Sequence, residues 1–253
     1  MKLIVGNWKM YPQTLSEVKH IVSAVKKATP KSGRVKVVVC PPTLFVAPAL
    51  SLIGKGAIAV GAQNTFTFDE GAYTGETSSS ALQKLGARYV ILGHSERRAM
   101  GEDDALIAQK VAQAVRNKLQ VILCVGEYAR DDAGAYFTEV ARELRASLEG
   151  FPKTELKRLV IAYEPIWAIG MNARAAATPG DFREMSIFIR RHLVDFFGKK
   201  AGFAVPILYG GSVDERNAEG FLKEGATDGF LVGRASLDPE KFAAIITAAE
   251  GIC

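Results

Sequence analysis

Eight short apolar stretches recur along the chain, each free of polar alternation and each followed by polar or turn-forming residues. They are Leu3 to Val5, Val35 to Val39, Ala57 to Val60, Tyr89 to Leu92, Val121 to Val125, Leu159 to Ala162, Val205 to Leu208 and Phe230 to Val232. Stretches without alternation predict strands buried on both faces, the pattern of a parallel sheet covered by helices. Their starts lie 32, 22, 32, 32, 38, 46 and 25 residues apart, room for one strand and one helix per unit. Helical signals fill the gaps. Thr14-Leu15-Ser16-Glu17 predicts a capping box, followed by an apolar stripe at Leu15, Val18, Val22 and Val25. Thr178-Pro179 and Asp238-Pro239 each predict an N-cap with proline in the first turn, and helical periodicity covers Ala105 to Lys118 and Asp181 to Phe197. Alternating elements predict an α/β protein. Eight parallel units match a single (β/α)8 barrel with an outer ring of helices, one domain over 1–253. Periodicity alone leaves a doubly wound open sheet as the alternative.

Composition narrows the class. Of the 253 residues 48% are hydrophobic, which excludes intrinsic disorder. Cys40, Cys124 and Cys253 are too few and too scattered for a disulfide framework, and they lack the CxxC spacing of structural zinc sites. The net charge of +5 resides in doublets such as Lys26-Lys27, Arg97-Arg98, Arg190-Arg191 and Lys199-Lys200. Nucleic-acid binding calls for a denser basic stripe, so none is expected. No apolar run approaches the roughly 20 residues of a membrane span, and the start reads as a strand, not a signal peptide. A soluble, cytoplasmic protein is expected.

The segments that follow barrel strands lie at the C-terminal face, where barrel enzymes carry their sites. Here they are unusually polar: Asn7 and Lys9 after the first stretch, His94, Ser95 and Glu96 after the fourth, Glu127 after the fifth and Glu164 after the sixth. Gly210-Gly211-Ser212 and Gly233-Arg234 follow the last two, and their backbone amides could cradle a phosphate. One imidazole, one ammonium and several carboxylates on one rim are the ingredients of proton transfer. The three histidines, His20, His94 and His192, are far apart in sequence and suggest no metal site. Residues alone thus lead to a barrel enzyme acting on a small phosphorylated substrate.

A resemblance goes further. Asn7-Trp8-Lys9-Met10, Gly61-Ala62-Gln63-Asn64, Gly93-His94-Ser95-Glu96-Arg97-Arg98 and Cys124-Val125-Gly126-Glu127 resemble successive signatures of the triosephosphate isomerase family. Ala162 to Gly170, Tyr209 to Val213 and Asp228 to Gly233 complete seven blocks in family order. The resemblance implies interconversion of dihydroxyacetone phosphate and D-glyceraldehyde 3-phosphate through an enediolate, without a cofactor or metal. It implies Glu164 as the base and His94, at the head of a helix, as a neutral hydrogen-bond donor. Lys9 and Asn7 would serve the developing oxyanion and the substrate's carbonyl side, with Glu96 tuning Lys9 or pairing with a nearby cation. Gly170, Ser212, Gly233 and Arg234 would hold the phosphate. Cys124, Glu127, Trp8 and Trp167 read as support.

Three departures stand out. Residues 171–178 replace the family's lid continuation with a segment two residues longer, Arg234 stands where a second glycine is usual, and Ala99 to Glu102 is one residue short. The altered lid keeps a second reading open, a phosphosugar-binding barrel without catalysis. The segment 63–80 is long for such a connection and carries Phe66, Phe68 and Tyr73. It resembles the family's interdigitating loop, so a homodimer is expected, with Glu76 reaching Arg97 or Arg98 across the interface.

Overall fold

The computed structural model describes residues 1–131, 133–169 and 176–252. Eight strands close on themselves: β1 (Lys2–Asn7), β2 (Val35–Cys40), β3 (Ile58–Ala62), β4 (Tyr89–Leu92), β5 (Gln120–Val125), β6 (Leu159–Tyr163), β7 (Ile207–Tyr209) and β8 (Gly229–Val232). Every neighbouring pair is parallel, and β8 returns to β1 with Leu3 opposite Gly229. Closure rules out the open-sheet alternative. It also explains Gly229: its φ is +148°, and a Cβ there would collide with the Leu3 carbonyl across the closing seam.

Helices cover the outside: α1 (Leu15–Ala28), α2 (Val46–Ile53), α3 (Ser79–Leu85), α4 (Ser95–Ala99) and α5 (Asp104–Arg116) over the first half. The second half carries α6 (Ala135–Ser147), α7 (Pro179–Phe197), α8 (Lys199–Ala204), α9 (Ala218–Lys223) and α10 (Pro239–Ile252). The capping signals hold. Thr14 and Glu17 cap α1 reciprocally, as do Thr178 and Asp181 on α7, and Asp238 accepts from the amides of Glu240 and Lys241.

Two apolar clusters account for the missing alternation in the strands. Leu3, Val5, Val38, Ile91, Ile122, Val160, Leu208 and Leu231 point inward and fill the barrel. Their neighbours Ile4, Val37, Val39, Val90, Val121 and Ile161 point outward under the helices. Both faces are dry, so both are apolar. Most strand starts lie within one residue of expectation, and the largest difference is at β7, which begins at Ile207, not Val205. Pro206 has no N–H to donate to a ladder, so it serves only as acceptor, for Ile161. Among the described residues no helix is long and apolar enough to cross a membrane.

Candidate active site at the C-terminal rim

Lys9 leaves β1 in the left-handed region, at φ +50°, which is strained for a residue with a side chain. Two neighbours hold it there. Its N–H donates to Asn7 Oδ1 (3.1 Å), and its carbonyl accepts from Gln63 Nε2 (2.8 Å), which also donates to the Cys40 carbonyl (2.8 Å). This turn carries the ammonium to Glu96, with Nζ 2.6 Å from Oε1. Asn7 itself is buried.

His94 is the N-cap of α4, and its Nδ1 accepts the Glu96 N–H at 3.2 Å. An accepting Nδ1 keeps its lone pair, so the ring's hydrogen sits on Nε2. That nitrogen lies 3.2 Å from Glu164 Oε1, while Oε2 accepts the Ser95 N–H at 3.0 Å. Glu164 follows β6 and is only 2% exposed. Its carboxylate has room because Gly210 stands opposite: a Cβ there would sit 3.0 Å from Glu164 Cγ. Beneath it lies the Cys124 thiol, whose ionisation is pushed up by burial and by the adjoining Glu164 carboxylate. The thiol therefore stays neutral and contributes packing.

Glu127, fully buried, organises the wall behind Glu164. Its Oε1 accepts from Tyr163 Oη (2.7 Å), Trp167 Nε1 (2.8 Å) and Arg130 Nε (3.1 Å). Arg130 continues to Asp181 (3.0 Å) and Glu184 (3.1 Å) on α7. Burial and the neighbouring Glu127 carboxylate push the Tyr163 phenol up, so it remains a donor.

Asn7, Lys9, His94 and Glu164 open onto a cavity of about 640 Å3 that is also lined by Ser212, Gly233 and Arg234. Ser212 Oγ donates to the Ala168 carbonyl at 3.1 Å. The turn at Gly233 has φ −83°, and Arg234 opens a 3-10 turn over Arg234–Leu237. No positive φ is needed there, so an arginine fits where glycine is usual, and its side chain is exposed. The structure thus brings Asn7, Lys9, His94, Glu164, Ser212, Gly233 and Arg234 to one cavity, with Glu96 beside it on Lys9. Gly170 and residues 171–175 of the longer segment lie outside the described residues.

One expectation changes. Arg98 is not available to a neighbouring subunit: it is buried against Asp104 (2.6 Å) and the Gly93 carbonyl (2.9 Å). Arg97 is half-exposed and pairs with Glu102 (2.7 Å from Nε). Sequence reasoning also passed over two groups. Gln63 was visible only as part of a motif without a role, and the Ser95 amide, a backbone donor, has no side-chain signature.

A closed parallel barrel with a buried carboxylate facing an imidazole, and an ammonium on the same rim, defines a barrel enzyme of the proton-transferring class. The family model described as triosephosphate isomerase matches residues 2–249. The chain is 44% identical to the triosephosphate isomerase of Moorella thermoacetica, over 96% of this chain and 97% of that one. It is 43% identical to that of Roseiflexus castenholzii (96% of each chain) and 43% to that of Leifsonia xyli subsp. xyli (96% and 95%). The chain belongs to the triosephosphate isomerase family.

Proposed function

We propose that this chain interconverts dihydroxyacetone phosphate and D-glyceraldehyde 3-phosphate, an aldose–ketose isomerisation that needs no cofactor. The observation that carries the reading is the pairing of buried Glu164 with His94 Nε2 at 3.2 Å above a cavity shared with Lys9. Glu164 takes a carbon-bound proton from the substrate. The electron pair of that C–H bond becomes the carbon–carbon double bond of an enediolate, and the carbonyl oxygen gains the negative charge. His94 Nε2–H donates to the substrate oxygens, and the Lys9 ammonium stabilises the oxyanion, with Asn7 orienting the carbonyl side. The proton of the neighbouring hydroxyl passes to the former carbonyl oxygen, relayed by the hydrogen-bonded His94 ring, and Glu164 then returns its own proton to the neighbouring carbon, so that the carbonyl re-forms on the other one. Glu96 holds Lys9 at 2.6 Å and so sets where that charge sits. The phosphate is held by Ser212, Gly233 and Arg234, with Gly170 added by family resemblance.

The test is a coupled assay for glyceraldehyde 3-phosphate formation. Turnover that is lost in Glu164→Gln supports the reading, and a well-folded parent protein without turnover overturns it.

We also propose a homodimer. Phe68 and Tyr73 stack, with Phe66 tilted against both, and Phe68 is 52% and Tyr73 41% exposed. Exposed Met10, Leu44 and Met100 stand on the connections after β1, β2 and β4, on the same side of the barrel as this loop after β3. Exposed apolar side chains in that number at one end of the barrel are a liability in water and suit a second copy. In that assembly Thr74 would steady the partner's Asn7 and the partner's Lys9. Glu76 would reach the partner's Arg97. The cytoplasm is the proposed compartment, in keeping with the free, buried thiols of Cys40 and Cys124.

A further inference from the structure

Behind the rim lies a buried carboxylate that the reaction does not use. Glu143 projects from α6 and is 2% exposed. Its Oε2 accepts the Gly126 N–H at 3.0 Å, and its Oε1 lies 3.6 Å from Arg98 Nη1. Each contact leads to one of the two reacting groups. Gly126 directly follows β5, against which Glu164 rests: the Glu164 N–H donates to the neighbouring Val125 carbonyl (2.9 Å), and a Cβ on Gly126 would collide with the Glu164 carbonyl. Arg98 donates to the Gly93 carbonyl (2.9 Å), the residue just before His94. Gly93 is itself at φ +71°, and a Cβ there would press on the Cys124 carbonyl (3.0 Å) and the Arg98 guanidinium (3.3 Å).

We propose that Glu143 is a positioning residue for the proton transfer, joining the backbones beneath Glu164 and His94 through Gly126 and Arg98, and that its charge state is felt by both. The proposal rests on the isomerase reading. The other groups around the carboxylate are Asp104 from α5, which pairs with both Arg98 and Arg142, and Arg142 from α6 itself, with Nη2 3.9 Å from Oε1. Ser147 of α6 accepts from Arg98, and the Cys124 thiol of β5 also feels the Glu143 charge. Burial pushes the Glu143 carboxyl up to about 7, against the opposing pull of Arg98 and the Gly126 N–H. Near neutrality it therefore passes between an ion partner of Arg98 and a neutral acid. The neutral acid still accepts from Gly126 but no longer attracts the guanidinium.

Glu143→Gln is a permanent version of the neutral form. Relative to the parent, its kcat is expected to fall roughly tenfold at about pH 8.5, with KM within about twofold, because small displacements of reacting groups are costly. At about pH 5.5 the two proteins should agree within about twofold, since the parent is then protonated as well. Equal kcat at all pH values, or a ratio that does not change with pH, overturns the proposal. A second measurement needs no variant. The Gly126 amide of the parent, followed by NMR, is expected to titrate with its midpoint near 7, and a flat response overturns the proposal. Parent protein without isomerase turnover would instead defeat the functional reading, leaving the Gly126 titration as the test of the coupling.

Discussion

Glu164 Oε1 and His94 Nε2 face each other at 3.2 Å, so each reacting group is the other's partner. With Oε2 accepting the Ser95 N–H, both oxygens of the base have partners that fix the carboxylate. Glu164→Gln keeps the shape and removes the base, so kcat is expected to fall by about 10²–10⁴ with little change in KM. A coupled assay at saturating substrate measures it.

Lys9 and Glu96 separate activity from stability. The Glu96 side chain is 53% exposed, so breaking its ion pair should cost less than about 1 kcal/mol. Glu96→Gln is expected to keep its melting temperature within a few degrees while kcat/KM falls several-fold, as the ammonium loses its fixed position. Lys9→Met removes the charge itself and is expected to lose about 10²–10³ in kcat. Calorimetry and steady-state kinetics on the two variants check both statements.

Gly210→Ala tests the steric argument. The added methyl lands 3.0 Å from Glu164 Cγ and 3.3 Å from the Tyr163 carbonyl. The Glu164 side chain must give by a few tenths of an ångström, and because a full 1 Å misplacement costs about 10²-fold in rate, a fall of roughly several-fold in kcat is expected. The accompanying loss of stability is expected to be only about 1–2 kcal/mol. Denaturant titration beside the assay distinguishes a displaced base from an unfolded barrel.

The Glu143 carboxyl also makes folding stability depend on pH. Its ordinary value of 4.5 rises to about 7 on folding, so the folded chain binds more protons than the unfolded one between those values. This contribution is present in full below about 4.5 and is lost as pH rises toward 7, on the order of 3 kcal/mol at most. Unfolding free energies measured from about pH 5 to about pH 8 should therefore decline more in the parent than in Glu143→Gln, the difference levelling off above 7.

Light scattering at micromolar concentration is expected to give about twice the 27.3 kDa chain mass. Tyr73→Asp puts a charge among the stacked rings of the loop and should shift the protein toward monomer with reduced activity. A fully active species near 27 kDa would contradict the dimer.

The strands were legible because each one faces two dry surfaces, the barrel interior and the helical layer. Val37 to Val39 could be read as a strand without any alternation for that reason. The helix starts were legible because Thr14, Thr178 and Asp238 satisfy orphan amides through local bonds. Glu164, His94 and Lys9 were legible as polar residues directly after apolar strands. Other parts of the site were not, because they depend on closure. Arg130 comes three residues after Glu127 in a polar stretch, and nothing in that spacing says it will span to Asp181 on α7. The inward turn of Arg98 was hidden in the same way: its doublet with Arg97 looks like surface charge until α5 and α6 bring Asp104 and Glu143 against it.

The left-handed backbone at Lys9 has a consequence for how the sequence can drift. A residue with a Cβ in that region sacrifices on the order of 1 kcal/mol, and glycine would recover most of it. Lys9→Gly should therefore yield a sturdier barrel and a poorer catalyst. Selection for durability alone would steadily erase the lysine, whereas selection for turnover retains it at the expense of the fold. Position 9 is thus a place where heat-resistant but sluggish descendants of this chain would be expected to arise.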